Sequence, residues 1–453
     1  MQIRQYLLCK NGATIFGYKD QVNVEIKDAV SAASNFICAF HRPNYNTTMK
    51  ILQAYRYQLK ITPRQRRLLA CFAGCKRFVY NKALALQKDR HASGQKNLGY
   101  AELCKELTTW RHTPETVFLS EAPTHPLQQG LKDLDRAYTN FFSGRAAFPR
   151  FKKKGRHESF RYPDAKQVKL DEENSRIFLP KLGYLRYRQS REIQGVVKQV
   201  TVSCAAGKWY ISIQTEREVE QPIQIQQEEE IIGIDLGVVR FATLSNGEVY
   251  EPRNPYRNLE RKLAKKQRSL ARKQKGGANW RKQVRQISRI HKIIADRRRD
   301  FLHKTSTAIS KNHAMVVMED LNVKGMSASA AGTMAEPGRG VKAKSGLNKS
   351  ILDQGWYEFG RQLGYKVGWK GGLLLAVPAK NTSRRCAECD YVSSENRKEQ
   401  AKFRCVACGH TEHADLNAAR NILTAGRAVL ACGEKLLSIS SKQEPTVSAA
   451  LSA

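Results

Sequence analysis

Four cysteines at paired spacings carry the clearest chemistry in this chain. Cys386-Ala387-Glu388-Cys389 is followed, after fifteen residues, by Cys405-Val406-Ala407-Cys408. Two such pairs offer four thiolates to one tetrahedral zinc ion at about 2.3 Å per bond. Four sulfurs leave no open coordination position, so the ion is expected to be structural rather than catalytic. His410 and His413 stand nearby, but the thiolates already complete the set. The residue after each second cysteine should tolerate a positive φ; Gly409 does so freely and Asp390 less readily. In so small a module the metal supplies much of the folding free energy at neutral pH.

Acidic residues suggest a second chemistry. Ile231-Ile232-Gly233-Ile234-Asp235-Leu236-Gly237-Val238 reads as a buried apolar strand carrying one carboxylate between glycines. An isolated ionised carboxylate is costly to bury, so a cation or a donor should accompany it. Taken alone, the motif is equally satisfied by an Asp that hydrogen-bonds a turn. A second apolar strand, Ala314-Met315-Val316-Val317-Met318, ends in Glu319-Asp320-Leu321, and Ala414-Asp415-Leu416-Asn417 opens a helix. Acids at two strand sites and one helix start suit a ribonuclease H-like sheet that gathers three carboxylates around two divalent cations about 3.5–4 Å apart. Without cations the three would repel one another; with Mg²⁺ the cluster becomes favourable. Asp320 rivals Glu319, but the adjacent position on a strand end points the other way.

The elements that must position these groups belong to a basic, multidomain chain. Its 453 residues include 78 Lys+Arg against 41 Asp+Glu, a formal charge of +37, which repels itself unless a polyanion screens it. Nucleic acid is the simplest partner. The length suggests two to four units, and 41% hydrophobic residues exclude wholesale disorder. No apolar run approaches the roughly 18–20 residues of a membrane helix, and the N-terminus lacks a secretory pattern. Seven of the eleven cysteines are scattered, which fits a reducing cytoplasm rather than a disulfide scaffold. Cys71 and Cys75, one helical turn apart, read as core residues.

Residues 1–48 carry no sustained periodicity and are expected to lie outside the core, with Met49 as the functional start. Alternation over Ile51–Lys60 predicts a strand, and Thr62-Pro63 an N-cap with proline at the first helical position. Helical spacing continues to about Phe142. From Phe148 to about Thr215, short alternating segments broken by Gly and Pro predict a small antiparallel β-barrel. Arg150, Lys152, Lys153, Lys154 and Arg156 mingle there with Phe148, Phe151, Phe160 and Tyr162, a mixture suited to phosphates and bases. After the acidic stretch Gln221–Glu230 a new domain begins at Ile231. Residues 253–304 hold 19 Lys/Arg against three acids, too one-signed for an ordinary solvated face. They predict two long helices around Gly276-Gly277 with a cationic surface that tracks a nucleic-acid backbone. Arg77, Lys152, Lys153, Arg272, Lys273 and Lys275 are the candidate nucleic-acid contacts. Residues 325–347, rich in Gly, Ala and Ser, read as a mobile loop.

These motifs resemble those of TnpB, the RNA-guided nuclease of bacterial and archaeal insertion sequences, similar to the type V CRISPR effectors. The resemblance runs from about Met49 to Leu430. It rests on Thr62-Pro63 with Cys75-Lys76-Arg77-Phe78-Val79-Tyr80-Asn81, on Gly233-Ile234-Asp235-Leu236-Gly237 and on Met318-Glu319-Asp320-Leu321. It is strongest over Asn396-Arg397-Lys398, Phe403-Arg404-Cys405-Val406-Ala407-Cys408-Gly409-His410 and Ala414-Asp415-Leu416-Asn417-Ala418-Ala419-Arg420-Asn421-Ile422. Two departures are Asp390, where the family usually has Gly, and His413, where it usually has Asn.

The resemblance implies a multidomain α+β protein. A small N-terminal β-barrel (49–222) with a helical insert at about 62–143 would bind nucleic acid. A ribonuclease H-like RuvC domain (229–430) would carry an inserted four-Cys zinc ribbon (382–412), and 431–453 would form a flexible tail. It implies a guide RNA and a double-stranded target DNA as partners, with base pairing supplying most of the specificity. It assigns Asp235, Glu319 and Asp415 as catalytic residues holding two Mg²⁺, beside one structural Zn²⁺ on Cys386, Cys389, Cys405 and Cys408. The alternative is a catalytically silent RNA-guided repressor or transposition accessory, which the intact trio disfavours. An actin-like ATPase would need a second Gly-rich phosphate loop, and the chain offers none.

Overall fold

The computed structural model describes residues 49–219 and 230–440; the expectations for 1–48 and for most of the acidic linker lie outside them. Among the described residues, one compact unit comprises 49–219 with 255–297, and another 230–254 with 298–440.

In the first unit, β1 (Met49–Lys60) alternates as its sequence does, burying Ile51, Tyr55, Tyr57 and Leu59. Helix α1 (Pro63–Ala92) starts in a capping box: the Gln65 amide donates to Thr62 Oγ1 at 3.2 Å, and the Thr62 amide to Gln65 Oε1 at 3.1 Å. Its buried stripe contains Leu69, Phe72, Cys75 and Val79, while Cys71 is half-buried with its sulfur 4.0 Å from that of Cys75. α2 (Tyr100–His112) and α3 (Thr124–Phe142) complete the helical layer.

The strands are β2 (Ser159–Tyr162), β3 (Lys169–Asp171), β4 (Arg176–Leu179), β5 (Gly183–Tyr187), β6 (Val196–Ala205) and β7 (Lys208–Val219). With β1 they form one antiparallel sheet in the order β2-β6-β7-β1-β5-β4-β3. The expected barrel is therefore corrected to an open sheet. Its edge strands are four and three residues long and each has a single partner, so no edge-to-edge ladder closes it. Helix α3 packs against edge β2 instead.

Two basic helices follow, α4 (Pro255–Ala271) and α5 (Ala278–Asn312), turning at Gly276 with φ 84°. Leu263, Ile290 and Ile294 form their shared apolar seam, and the Lys292 ammonium lies 4.9 Å from the Tyr210 ring centre on β7.

The second unit is built on a five-stranded sheet. Its strands are β8 (Ile231–Leu236), β9 (Ala242–Leu244), β10 (Val249–Tyr250), β11 (Met315–Glu319) and β12 (Leu373–Val377), in the order β10-β9-β8-β11-β12. β8, β11 and β12 are parallel, whereas β9 and β10 run antiparallel. Parallel strands need both faces covered. α6 (Val341–Gln354), α7 (Trp356–Gly368) and the end of α5 bury Ile232, Ile234 and Val316, whereas Met315, Val317 and Val377 cluster with Ile422. Ile422 belongs to α8 (Ala414–Ser440), so the expected tail boundary at residue 430 falls inside a helix. α8 sits so close to β8 that a Cβ on Gly233 would lie 2.3 Å from the Ala419 carbonyl oxygen. The stretch expected as a loop over 325–347 becomes helical from Val341.

Candidate nuclease centre and four-cysteine module

The register of two parallel strands brings the first two acids together. Ile234 pairs with Met318, so Asp235 on β8 and Glu319 on β11 occupy equivalent positions on neighbouring strands. The third acid arrives on α8, whose packing over Gly233 carries its first turn, with Asp415, towards the end of β8. Asp320 is exposed and turned away, its amide donating to the Val377 carbonyl at 2.8 Å.

The electrostatics record the convergence. Burial pushes the Asp235 carboxyl up to about 7, and Glu319 and then Asp415 push it the same way, against the pull of Arg397. Burial also raises Glu319, while a hydrogen bond from the Thr382 hydroxyl to its Oε1 lowers it. Arg397 Nη2 stands 3.4 Å from Asp415 Oδ1. Three carboxylates and one guanidinium leave an excess of negative charge. That donor set fits divalent cations.

The raised pKa has a measurable consequence. Between about pH 4 and pH 7 the folded chain holds a proton on Asp235 that the unfolded chain has released, so this group costs stability progressively as pH rises through that window. Without Mg²⁺, Asp235→Asn is therefore expected to raise the melting temperature on the order of 5–10 °C at pH 8, and by little at pH 4. Melting curves at the two pH values check this; an equal gain at both refutes it.

The cysteines form a tighter group. Cys386, Cys389, Cys405 and Cys408 offer ligand atoms that all lie within 4.8 Å of one another. Cys386 and Cys408 sulfurs are 3.7 Å apart, and Cys389 and Cys405 sulfurs 3.6 Å. Bonds of about 2.3 Å to a tetrahedral ion imply edges of about 3.8 Å, so these thiols can hold one metal ion. Both residues following the pairs adopt positive φ, Asp390 at 62° and Gly409 at 78°. Asp390 is held there by Arg385, whose Nε donates to its Oδ1 at 2.8 Å. His413 leaves the thiolates alone and caps α8, its Nδ1 accepting from the Asp415 amide at 3.2 Å. An asparagine could offer the same acceptor, which explains why this departure from the family pattern is tolerated.

The candidate nucleic-acid contacts are not equivalent. Arg272 and Lys275 are exposed and Lys273 half-buried in the turn after α4. Lys153 is exposed, but Arg77 is held 3.3 Å from Glu158. Lys152 is pinned by Asn81, which donates to its carbonyl at 3.0 Å and accepts from its amide at 2.8 Å. Its ammonium sits 3.7 Å from the Tyr80 ring centre, and burial, then the nearby Lys76, lowers it to about 8. Lys152 therefore anchors its loop through its backbone.

Residues 212–330 match the family described as "Probable transposase" (OrfB of IS605), residues 356–422 a "Cas12f1-like, TNB domain", and residues 49–96 a "Helix-turn-helix domain". The chain is 57% identical over 399 residues to "Putative RNA-guided DNA endonuclease InsQ" of Escherichia coli K12, covering 88% of this chain and 98% of InsQ. It belongs to the TnpB family. A similarly named protein of Streptomyces pristinaespiralis is 34% identical over 392 residues, covering 85% of this chain and 92% of that one. The CRISPR-associated endodeoxyribonuclease Cas12f1 of Sulfoacidibacillus thermotolerans is 27% identical over 257 residues, 51% of this chain and 54% of the relative.

Within this TnpB chain the sequence left several site residues unread. Thr382 on Glu319, Arg397 on Asp415, and Asn417 and Asn421 behind them surround the acids. The available signal was the i, i+4 pair of asparagines, Asn417 and Asn421, set among Leu416, Ala418, Ala419 and Ile422, where buried amides require partners. No helix among the described residues is long and apolar enough to cross a membrane.

Proposed function

We propose that this chain is an RNA-guided DNA endonuclease of a mobile element, acting in the cytoplasm. It would bind a guide RNA and cut a double-stranded DNA target by hydrolysis. The convergence of Asp235, Glu319 and Asp415 carries the proposal. A strand order with a three-stranded antiparallel meander beside two further parallel strands supports a ribonuclease H-like, RuvC-type reading of 229–430. The names of the relatives support the activity, and near-complete coverage of InsQ supports extending it to the whole chain.

In this reading Asp235, Glu319 and Asp415 would hold two Mg²⁺ ions. Bound there, divalent cations make water nucleophilic and stabilise the leaving oxygen. The chain's part is to orient the oxygens: Thr382 fixes Glu319, and Arg397 offsets charge beside Asp415. Zn²⁺ would fill the four-cysteine module (382–412) in a structural role. Residues 49–222 and the cationic surface of α4 and α5, with Arg272, Lys273, Lys275 and Lys153, would track nucleic-acid backbones. Protein loaded with its co-purifying RNA, given a duplex that matches that RNA and Mg²⁺, should cut it and spare a mismatched duplex. Equal cutting of both, or of neither, would overturn the guided reading.

Exposed aromatics extend the proposed RNA surface. Phe148 and Phe151 are 41% and 47% exposed, and the Lys88 ammonium lies 5.6 and 4.8 Å from their ring centres. Rings beside cations stack unpaired bases, at about 1–3 kcal/mol per base. The double replacement Phe148→Ala/Phe151→Ala should weaken guide RNA binding at least about tenfold at fixed salt. Unchanged affinity in filter binding would exclude stacking there.

A further inference from the structure

The loop that joins β12 to the first cysteine pair is stitched to α8 by two side chains one turn apart. Asn421, almost fully buried, donates both amide protons: to the Thr382 carbonyl at 2.8 Å and to the Arg385 carbonyl at 2.7 Å. Asn417, fully buried, donates to the same Arg385 carbonyl at 2.8 Å and accepts from the Ala387 amide at 3.0 Å. Arg385 immediately precedes Cys386, so the four-cysteine module and α8 together set where residues 382–387 run. α8 also carries Asp415, two residues before Asn417.

The other end of this network is the Thr382 hydroxyl. A hydroxyl has one proton to donate. The Ala379 carbonyl lies at 3.3 Å, whereas Glu319 Oε1 is much closer and takes the proton. Thr382 is nearly buried, so water does not compete freely for that bond. Glu319 is thus held by one oxygen, and its second oxygen stays available to a cation.

We infer that Thr382 is a positioning residue for the carboxylate centre, and that the four-cysteine module orients Glu319 through Arg385, Asn421 and Thr382. This rests on the proposed metal-binding role of Asp235, Glu319 and Asp415. The cysteine module then has a second task besides its own folding, because its first knuckle is one end of the frame that aims a metal ligand. Losing an outer-shell hydrogen bond of this kind weakens metal binding about 10–100-fold.

The test uses full-length, guide-loaded protein and four variants. Thr382→Val keeps the shape and removes the hydroxyl; Thr382→Ser keeps the hydroxyl. Expected for Thr382→Val are Mn²⁺ binding at least about tenfold weaker by calorimetry and an equal rise in the Mg²⁺ concentration giving half-maximal cleavage. Zinc content and melting temperature should stay unchanged. Thr382→Ser should return both constants to within about twofold of the parent. Asn421→Ala, which cuts the tie to the module, should weaken Mn²⁺ binding at least about threefold. Parental Mn²⁺ affinity in Thr382→Val, or no recovery in Thr382→Ser, overturns the positioning role. Parental affinity in Asn421→Ala overturns the link to the module. Full cleavage by Asp235→Ala would instead remove the underlying reading of Asp235, Glu319 and Asp415 as the metal centre; inactivity of Asp235→Ala with a parental Thr382→Val removes this inference alone.

Discussion

Asp235→Ala is expected to lower guide-matched cleavage at least about a thousandfold while guide and target binding stay within about threefold. The size of the effect follows from where the strand register puts this side chain. Asp235 sits between Glu319, its neighbour across the β8–β11 ladder, and Asp415 on the first turn of α8. Both of the other acids push its carboxyl up, which makes it a meeting point of the cluster. Removing it leaves two carboxylates to perform the work of three. Little folding energy should be lost, because the group is costly to keep ionised in the metal-free protein. Binding should survive because the cationic and aromatic surfaces lie on other residues. The check is single-turnover cleavage by RNA-loaded protein at saturating Mg²⁺. A rate within tenfold of the parent would remove Asp235 from the chemistry.

Local signals in the sequence translated into local structure wherever the physics was local. Thr62-Pro63 became a capping box because the cap needs only residues three apart. Ile51, Tyr55, Tyr57 and Leu59 of β1 are buried because alternation is a property of one strand. The cysteine pairs close on one point because each knuckle is a turn, and Asp390 adopts the positive φ demanded of it. The barrel was not legible in this way. Alternation announces strands but does not say whether the first and last will meet, and here edges of four and three residues leave the sheet open. Residues 341–347 joined the helix α6 although Gly, Ala and Ser suggested a loop. Ile351 and its partners in the sheet core supply burial that composition does not reveal. Lys152 was legible as a charge but not as an anchor, because Asn81, its clamp, lies 71 residues away. Thr382 escaped for the same reason: its bond to Glu319 spans 63 residues, and a threonine announces no such partner.

Cys405→Ser should empty the four-cysteine module and, through it, silence the nuclease. A serine hydroxyl stays protonated at neutral pH and is a poor replacement for a thiolate, so one corner of the tetrahedron is lost. The module has little else to hold it: its apolar cluster is Cys386, Phe403, Cys405 and Ala414, two of which are proposed zinc ligands. Apparent binding energies of structural zinc sites, about 10–16 kcal/mol at pH 7, exceed what so small a core can replace. Asn396, which donates to the Arg384 and Tyr391 carbonyls and accepts from the Val406 amide, spans both knuckles and loses its frame when they part. Next to it Arg397 leaves Asp415, and on the other side Arg385 and Thr382 are released from α8 and Glu319. The expected result is zinc content below about one tenth per chain, protease cleavage appearing within 386–408, and cleavage of DNA reduced at least about a hundredfold. The sheet of the same unit, with its separate cores on both faces, should keep its melting transition. A Cys405→Ser protein that retained one zinc per chain and resisted protease would show that three thiolates suffice. One that lost zinc but cut DNA at the parental rate would show that the carboxylate centre needs no support from the module.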